Sequence, residues 1–283
     1  MKEPCWLLDF ASKTFSQNGE DGVLWKCLEL LPARDRWCVE FGAWDGKYLS
    51  NVRRLIEQAD YSAVMIEADK SKFRELVANY SDNKKVKPLN AYVGFSGENG
   101  LDALLEPIGV PKDFDVLSID IDGNDYHVWQ ALQRYRPKLV CIEFNPTIPT
   151  EVAFVQPADA CVNQGCSVLS LFQLAKEKGY ELIAVLPLNA IFVDARYFSR
   201  FEIADNRPAT LRQDASAITW MFFGYDGSVH IAGAKKLPWH NMRIDERRLQ
   251  LVPRFLQRYP KNYSRLQKLL YKAYKRCRTW FGS

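Results

Sequence analysis

The sequence predicts an α/β protein in which helices cover both faces of a mostly parallel sheet. Strand-like and helix-like segments alternate along most of the chain, as they do in repeated βαβ units. Several strand-like segments, such as residues 139–142, are apolar throughout, which is typical of strands buried on both faces. The 283 residues, 47% of them apolar, are enough for one large domain with an appendage.

Hydrophobic periodicity defines the predicted elements. Apolar residues at helical spacing predict helices, and short apolar runs bounded by turn residues predict strands. The predicted helices cover residues 16–31, 49–59, 71–80, 125–134 and 169–178. The predicted strands cover residues 37–41, 63–66, 87–93, 116–119, 139–142, 181–186, 190–193 and 218–223. Segments 146–166 and 195–217 are irregular, and we interpret them as candidate lid or substrate loops.

Charge is distributed unevenly along the chain. Residues 247–283 hold eleven Lys and Arg and no Asp or Glu, which leaves 27 basic against 34 acidic residues in 1–246. We therefore expect a main domain at 1–246 and a basic extension at 247–283. The acidic main domain argues against nucleic acid as a partner. The N-terminus lacks a signal-peptide pattern and no apolar run reaches about 20 residues, so we expect a cytoplasmic location.

The cysteines and histidines indicate no metal-thiolate chemistry. The seven cysteines form no Cys-x-x-Cys pair, and only three histidines are present, so neither a zinc site nor a disulfide framework is expected. Cys38 and Cys141 lie inside apolar runs and are expected in the core.

The first candidate site residues follow the first two strands, since ligands of open α/β sheets bind beyond the carboxyl ends of strands. Glu40 is the penultimate residue of the first strand, and Gly42 and Asp45 follow the strand. Glycine permits close approach of the backbone, and a carboxylate here can bind an ammonium group but would repel a pyrophosphate. Glu67 ends the second strand and can accept from both hydroxyls of a ribose. This pattern favours a cationic nucleoside such as S-adenosylmethionine; the alternative is an ordinary strand–helix loop.

An acidic cluster follows the strand at 116–119. Asp120, Asp122 and Asp125 fall within six residues of each other. Carboxylates this close raise one another's pKa unless a cation neutralises them, and that cation could be a metal ion or a cofactor sulfonium. The alternative is an acidic turn in water, with Asp125 capping the next helix.

A possible metal site involves the neighbouring strand end, where Glu143 and Asn145 follow the strand at 139–142. Together with Asp120 or Asp122, these residues offer the oxygen ligands that Mg²⁺ prefers. We therefore take Asp120, Glu143 and Asn145 as candidate metal ligands. The alternative is that Glu143 and Asn145 bind backbone groups or substrate hydroxyls.

These segments together resemble the FkbM-type family of S-adenosylmethionine-dependent methyltransferases. The matching segments are residues 15–22, 39–51, 66–69, 117–129 and 142–146, and the resemblance spans about residues 15–195. It implies a Rossmann-like methyltransferase sheet whose last strand runs antiparallel. Many members have a shorter Asp-x-Glu-Gly step where this chain has Asp120-Ile121-Asp122-Gly123, which leaves the metal assignment open.

The resemblance also implies residue roles. Glu40, Gly42 and Asp45 would line the methionine end of the cofactor, Glu67 would hold its ribose, and Asp120 would lie beside the reacting methyl group. The implied cofactor-binding residues are Gln17, Glu40, Gly42, Ala43, Asp45, Ser50, Asn51, Glu67, Ala68 and Asp120.

The resemblance implies methyl transfer to a sugar hydroxyl of a glycan, glycolipid or related metabolite. Asp120, Asp122 and His127 are the candidate bases, although a structural histidine is the alternative for His127. A non-catalytic binding module would have lost the acids at the strand ends, which are all present here. A nucleotide-sugar-modifying oxidoreductase would need a Gly-x-Gly-x-x-Gly fingerprint, which is missing.

The basic extension predicts a separate contact. Residues 262–281 are expected to form an amphipathic helix that lies on an anionic membrane surface. Its apolar stripe comprises Leu266, Leu269, Leu270, Ala273, Cys277, Trp280 and Phe281. The alternative is that this stripe packs on the protein's own body or on a second subunit. The sequence leaves the acceptor and the oligomeric state open.

Overall fold

The computed structural model describes residues 2–32 and 34–280. The chain divides into two compact units, Met1–Ala215 and Ser216–Ser283. The domain boundary expected after residue 246 falls inside the second unit. The first unit contains a seven-stranded sheet, and the second contains two two-stranded sheets and a C-terminal helix.

The strands are β1 (Trp37–Phe41), β2 (Ser62–Glu67), β3 (Val86–Asn90), β4 (Val116–Ile119), β5 (Leu139–Glu143), β6 (Tyr180–Val185), β7 (Asn189–Asp194), β8 (Thr219–Phe223), β9 (Val229–Gly233), β10 (Lys236–Leu237) and β11 (Met242–Arg243). The helices are α1 (Glu20–Leu30), α2 (Arg53–Ala59), α3 (Lys70–Asn79), α4 (Leu101–Leu105), α5 (Asp125–Ala131), α6 (Val168–Lys178), α7 (Pro208–Leu211) and α8 (Arg265–Trp280). Each element predicted in the first unit is present, although several are shorter; α4 and α7 were not predicted.

The seven-stranded sheet has the order β3-β2-β1-β4-β5-β7-β6. All neighbouring strands are parallel except β7, which is antiparallel to both β5 and β6. The predicted Rossmann-like methyltransferase sheet, with its antiparallel last strand, is therefore confirmed.

The strand register aligns the residues on which the candidate site depends. Phe41 of β1 pairs with Ile66 of β2 and with Ile119 of β4, and Ile119 pairs with Ile142 of β5. These four residues form one row across four parallel strands. The residues that follow them in the chain therefore emerge at the same edge of the sheet: Gly42, Glu67, Asp120 and Glu143.

The central strands form the core. Apart from Trp37 at the start of β1, their apolar side chains are buried, as are the predicted core thiols Cys38 and Cys141. Burying an aliphatic or aromatic side chain contributes about 1.5–3 kcal/mol. The sheet is thus a firmly packed base for the loops at its carboxyl edge.

The second unit differs from the sequence prediction in its extent, in the unpredicted strands β9, β10 and β11, and in the pairing of its first strand. The predicted strand at 218–223 is present as β8, but it pairs with β9 in a separate two-stranded sheet. Helix α8 covers most of the predicted segment 262–281; Phe281 and the side chain of Trp280 lie outside the described residues. Within the described part of the chain, no helix is both long and apolar enough to cross a membrane.

Candidate active site

A cavity of about 380 Å³ opens at the carboxyl edge of the sheet, where the chain order reverses between β1 and β4. Its position and volume are those of a small-molecule site in this class of sheet. The sequence-predicted residues that line it are Gln17, Glu40, Gly42, Ala43, Ser50, Asn51, Glu67, Ala68, Asp120 and Asp122. Lining residues that sequence reasoning did not single out include Tyr92, Val93, Asn124, Asn163 and Asn189.

Gly42 is required by a close approach of two loops. Its φ is +72°, in the left-handed region that disfavours other residues. A Cβ added here would lie 1.7 Å from the backbone oxygen of Asp120. The loop after β1 therefore lies directly against the end of β4, with no room for a side chain between them.

Glu40 is held by a network of hydrogen bonds on the floor of the cavity. Its carboxylate accepts a bond from Ser50 Oγ at 2.5 Å and from the Asn51 backbone N–H at 2.9 Å. The Asn51 side chain in turn donates to Ser118 Oγ at 3.1 Å. Burial raises the pKa of Glu40, and these donors oppose the rise. Three of the predicted residues therefore act as one fixed unit.

Glu67 is oriented by backbone groups. One carboxylate oxygen accepts the Trp44 N–H at 2.7 Å, and the other accepts the Asp69 N–H at 2.7 Å. A carboxylate has about four acceptor sites, so each oxygen retains one for a ligand. Ala68 and Tyr92 line the cavity beside it. The position suits a diol with a flat ring system next to it.

Asp45 stabilises the loop rather than facing the cavity. Its Oδ1 accepts the N–H groups of Lys47 at 2.9 Å and Tyr48 at 2.7 Å. These bonds close the turn that follows Gly42. The role in cofactor binding expected for Asp45 would therefore be indirect.

The second group of acids lies at the ends of β4 and β5. Carboxylate oxygens of Asp120, Asp122 and Glu143 all lie within 4.8 Å of one another. Burial, together with the neighbouring carboxylates, raises the pKa of Asp120 to about 8 and that of Glu143 to about 10. Asp122 has a φ of +55°, a left-handed conformation that aspartate tolerates better than most residues. The three groups could share protons or surround a cation.

Asp125 shapes the acidic turn. Its carboxylate accepts the N–H groups of Ile121 at 3.0 Å and Gly123 at 2.9 Å. Its role is therefore structural, but it is not the expected one of a solvent-exposed helix cap, because Asp125 is buried and is the first residue of α5, whose N-cap is Asn124.

Asn145 does not offer its side-chain oxygen to the acid cluster. That oxygen accepts from the N–H and the Oγ of Thr147, at 2.9 and 2.6 Å, while the amide nitrogen donates to Gln164 O. The amide therefore closes a turn, because a short polar side chain readily binds backbone two residues ahead. Asp122 takes the place beside Asp120 and Glu143 that the sequence suggested for Asn145.

His127 also has a local partner. Its Nε2 lies 2.8 Å from the backbone oxygen of Gln156, so this nitrogen carries the proton and donates it. The ring packs near Phe95 and Tyr126. These contacts favour the structural role over that of a general base.

The N-terminal segment approaches the cavity, and some buried amide atoms of this region have no hydrogen-bond partner. Glu20 is buried and accepts bonds from the Asn18 N–H at 2.8 Å and from Asn189 Nδ2 at 3.1 Å. Within the described chain, three buried amide atoms have no hydrogen-bond partner: Asn18 Nδ2, Asn124 Oδ1 and Asn189 Oδ1. Leaving such an atom unpaired costs about 1–3 kcal/mol. Asn124 and Asn189 line the cavity, where a polar ligand could satisfy them.

The charge of the cavity restricts its ligand. Four carboxylates line it, from Glu40, Glu67, Asp120 and Asp122, while none of the described lining residues is Lys or Arg. Phosphate groups are normally bound by basic side chains or helix N-termini. The cavity is therefore suited to a ligand with hydroxyls and positive charge, and it is poorly suited to a pyrophosphate.

The fold and the position of the cavity define the class as a Rossmann-like methyltransferase sheet with a site at its carboxyl edge. No protein-family model matches the chain, and no curated protein sequence matches it. The solved N-terminal domain of EvdMO1 with SAH bound is 14% identical, with 64% of this chain and 82% of that chain covered and a TM-score of 0.43.

Two further solved structures show similar values. The EvdMO1 domain in the presence of SAH and D-fucose is 12% identical. The match covers 67% of this chain and 93% of that domain, with a TM-score of 0.42. A SAM-dependent methyltransferase from Aquifex aeolicus is 12% identical, covering 68% and 97%, with a TM-score of 0.38. Similarity of this degree says nothing about the substrate of this chain, whose fold follows from its own strand order.

Proposed function

We propose that the protein is an S-adenosylmethionine-dependent O-methyltransferase of the FkbM type. The observation that carries the proposal is the cavity at the strand ends, which has four carboxylates and, among its described lining residues, no basic side chain. S-Adenosylmethionine presents a ribose diol, an ammonium group and a sulfonium, and it has no phosphate. A dinucleotide-dependent oxidoreductase would have to place a pyrophosphate against the same acids.

The cavity offers a place for each part of this cofactor. Glu67 retains an acceptor site on each oxygen for the two ribose hydroxyls, with Tyr92 and Ala68 beside it for the adenine. The unit formed by Glu40, Ser50 and Asn51 faces the methionine end. The unpaired Asn189 Oδ1 provides a further acceptor for the ammonium group.

The methyl group is supplied by the cofactor, whose sulfonium makes it electrophilic. The positive charge of the bound sulfonium would lower the raised pKa of Asp120, so that Asp120 or Asp122, in its ionised form, would accept the proton of the attacking hydroxyl. The new bond would join the acceptor oxygen to the methyl carbon, and the electron pair of the broken carbon–sulfur bond would remain on sulfur. Close alignment of oxygen, carbon and sulfur supplies much of the rate, and the rigid loop contact at Gly42 supports that alignment.

Magnesium is a second cation for which the acid cluster has suitable atoms. Carboxylate oxygens of Asp120, Asp122 and Glu143 lie within 4.8 Å of each other, and Mg²⁺ prefers such ligands together with water. The ion would hold the acceptor hydroxyl and favour its ionised form. Turnover that persists fully in EDTA would exclude this role and leave Asp120 as the base or orienting group.

We propose a sugar hydroxyl of a glycan or glycolipid as the acceptor. Beyond Asp122, the cavity wall is formed by Ala160 and Asn163 from the predicted substrate loop, and Asn163 Nδ2 donates to the Asp122 backbone oxygen at 2.9 Å. Carboxylates and amides of this kind bind hydroxyl groups. A glycolipid acceptor would also account for the basic helix α8, which we propose contacts an anionic membrane surface.

Two measurements test the proposal in order. Calorimetry with S-adenosylhomocysteine should give a Kd in the micromolar range, and an absence of binding would refute the methyltransferase proposal. Incubation with S-adenosylmethionine and a panel of sugar acceptors should then give S-adenosylhomocysteine and an acceptor heavier by one methylene. Tight cofactor binding with no transfer to any sugar would refute the acceptor class and leave the cofactor assignment standing.

A further inference from the structure

The β8–β9 ribbon of the second unit exposes a group of large apolar side chains. Trp220, Met221, Phe222 and Phe223 follow one another in β8, and each is 47–61% exposed. Tyr225, in the turn between the strands, is 92% exposed. Successive strand residues point to opposite faces, so Trp220 and Phe222 share one face of the ribbon and Met221 and Phe223 share the other. Exposed large apolar side chains concentrated in this way mark interaction sites.

Helix α8 carries the second exposed apolar surface of this unit. Its polar edge is bound to the preceding segment: Tyr274 Oη donates to Leu251 O at 2.6 Å, and Gln267 Nε2 donates to Phe255 O at 3.1 Å. Leu266 and Leu269, from the apolar stripe predicted by the sequence, are each about two-thirds exposed. The helix is thus anchored through one edge and leaves its leucines facing solvent.

The charge of this unit complements an anionic surface. Residues 216–283 contain fourteen Lys and Arg against three Asp and Glu. Two of the three acids already have basic partners, since Asp245 pairs with Arg247 and Glu246 pairs with Lys235. Basic residues beside exposed Trp, Tyr, Phe and Leu are the composition of protein surfaces that bind lipid headgroups.

We propose that residues 216–283 bind an anionic lipid bilayer, and that the β8–β9 ribbon inserts Trp220, Phe222 and Tyr225 among the headgroups while α8 supplies much of the charge. A second copy of the chain is a poorer occupant, because two units with the same large positive charge would repel each other. Nucleic acid would match the charge but would leave Met221, Leu266 and Leu269 in water. The proposal holds whether or not the chain transfers methyl groups.

Cosedimentation of the full chain with vesicles tests this proposal. The chain should bind phosphatidylcholine vesicles that contain phosphatidylglycerol, bind pure phosphatidylcholine much more weakly, and dissociate at high salt. The double variant Trp220→Ser/Phe222→Ser should raise the Kd for anionic vesicles about tenfold or more, because it removes the inserted apolar area. The double variant Lys268→Gln/Lys272→Gln should raise it about fivefold for each charge removed.

The matched control is Val77→Ser/Lys84→Gln, which removes an exposed apolar residue and an exposed charge from the first unit. It should bind vesicles as the wild type does, and all three variants should retain S-adenosylhomocysteine affinity and the far-ultraviolet circular dichroism spectrum. Three results would overturn the proposal: no vesicle binding by the wild type, undiminished binding by the ribbon variant, or a dimer in sedimentation velocity that the ribbon variant abolishes.

Discussion

The carboxylates on the two sides of the cavity differ in the number of hydrogen bonds that they accept. At the ends of β1 and β2, Glu40 and Glu67 each accept two hydrogen bonds from the loops around them. At the ends of β4 and β5, no described residue donates a hydrogen bond to the Asp120 carboxylate, and burial together with the neighbouring carboxylates of Asp120, Asp125 and Asp122 raises the pKa of Glu143. The carboxylates of the first side have their donors without a ligand, whereas the raised pKa values of Asp120 and Glu143 keep protons on the second side until a cation binds.

This difference indicates that the two sides of the cavity have different functions. A carboxylate fixed by backbone donors presents its remaining lone pairs in one direction, which suits recognition of hydroxyls. A group of carboxylates without donors has raised pKa values and is stabilised by any cation that enters. We infer that the first side recognises the nucleoside and that the second side responds to the charge that changes during transfer.

The largest expected effect is on turnover at the charged side. Asp120→Asn should lower kcat by about 10²–10⁴-fold, the usual contribution of a general acid–base group, because it removes both charge and proton acceptor while keeping the side-chain shape. The measurement is the rate of S-adenosylhomocysteine formation with a saturating acceptor.

His127→Gln is the comparison for that variant. Because His127 Nε2 donates to the Gln156 carbonyl, a glutamine amide can replace that bond, and we expect the rate to change by much less than the 10²-fold expected of a lost base. A large loss in His127→Gln with normal rates in Asp120→Asn would reverse the assignment of the base.

The contact that joins the two sides should be nearly as sensitive. Gly42→Ala places a Cβ against the Asp120 backbone and forces a left-handed conformation, so we expect about 3 kcal/mol or more of lost stability, together with lost S-adenosylhomocysteine binding. Gly109→Ala is the matched control, because Gly109 has a φ of +76° but nothing within 4 Å of its added Cβ. It should cost about 1–2 kcal/mol from conformation alone. Equal losses in the two variants would contradict a role for the loop contact.

Substitution of Glu67, on the side of the cavity that recognises the nucleoside, should change the affinity for S-adenosylhomocysteine. Glu67→Ala should weaken S-adenosylhomocysteine binding by about 1–3 kcal/mol, the cost of losing hydrogen bonds to a charged group. Glu67→Gln keeps an acceptor oxygen and should lose less. Glu75→Ala, an exposed position on α3, serves as the control. A calorimetric Kd that is unchanged in Glu67→Ala would place the ribose elsewhere.

The charged side should also make stability depend on pH. An aspartate in the unfolded chain titrates near 3.9, whereas the pKa of Asp120 is raised to about 8. The folded protein therefore holds an additional proton between about pH 4 and pH 8, and stability falls as the pH rises through that window.

The Asp120→Asn variant should not show this fall in stability with rising pH, because its side chain does not titrate. Without ligand and in EDTA, the variant should be more stable than the wild type at pH 9 by about 1–3 kcal/mol, less than the full shift because neighbouring acids share protons. The two should be equal below pH 4. Asp82→Asn, at an exposed turn, should follow the wild type at every pH. Urea unfolding at several pH values measures this, and parallel curves for Asp120→Asn and the wild type would contradict the charge assignment.

The sequence predicted the recognition side more completely than the charged side. Glu40, Gly42 and Glu67 end strands or follow them directly, so strand periodicity alone places them at one sheet edge. Asp120 was found in the same way. Asn145 was assigned to the acid cluster because it follows β5, but a side chain two residues past a strand can equally close its own turn, as it does with Thr147.

Other features of the site and the fold could not be predicted because they depend on contacts between residues distant in sequence. Asn189 reaches the site because β7 is antiparallel and starts opposite Glu143, and its bond to Glu20 joins residues 169 positions apart. Nothing in the local sequence around Asn189 indicates this. The pairing of β8 with β9, outside the main sheet, is likewise a tertiary outcome that strand propensity does not encode.

A crystal structure of the full chain with S-adenosylhomocysteine tests the central claim most directly. We predict the ribose hydroxyls on the Glu67 carboxylate, the amino group within hydrogen-bond distance of Asn189 Oδ1 or Glu40, and the sulfur on the Asp120 side of the cavity. Density for the ligand at another location, or an empty cavity in crystals grown at saturating ligand, would contradict the account.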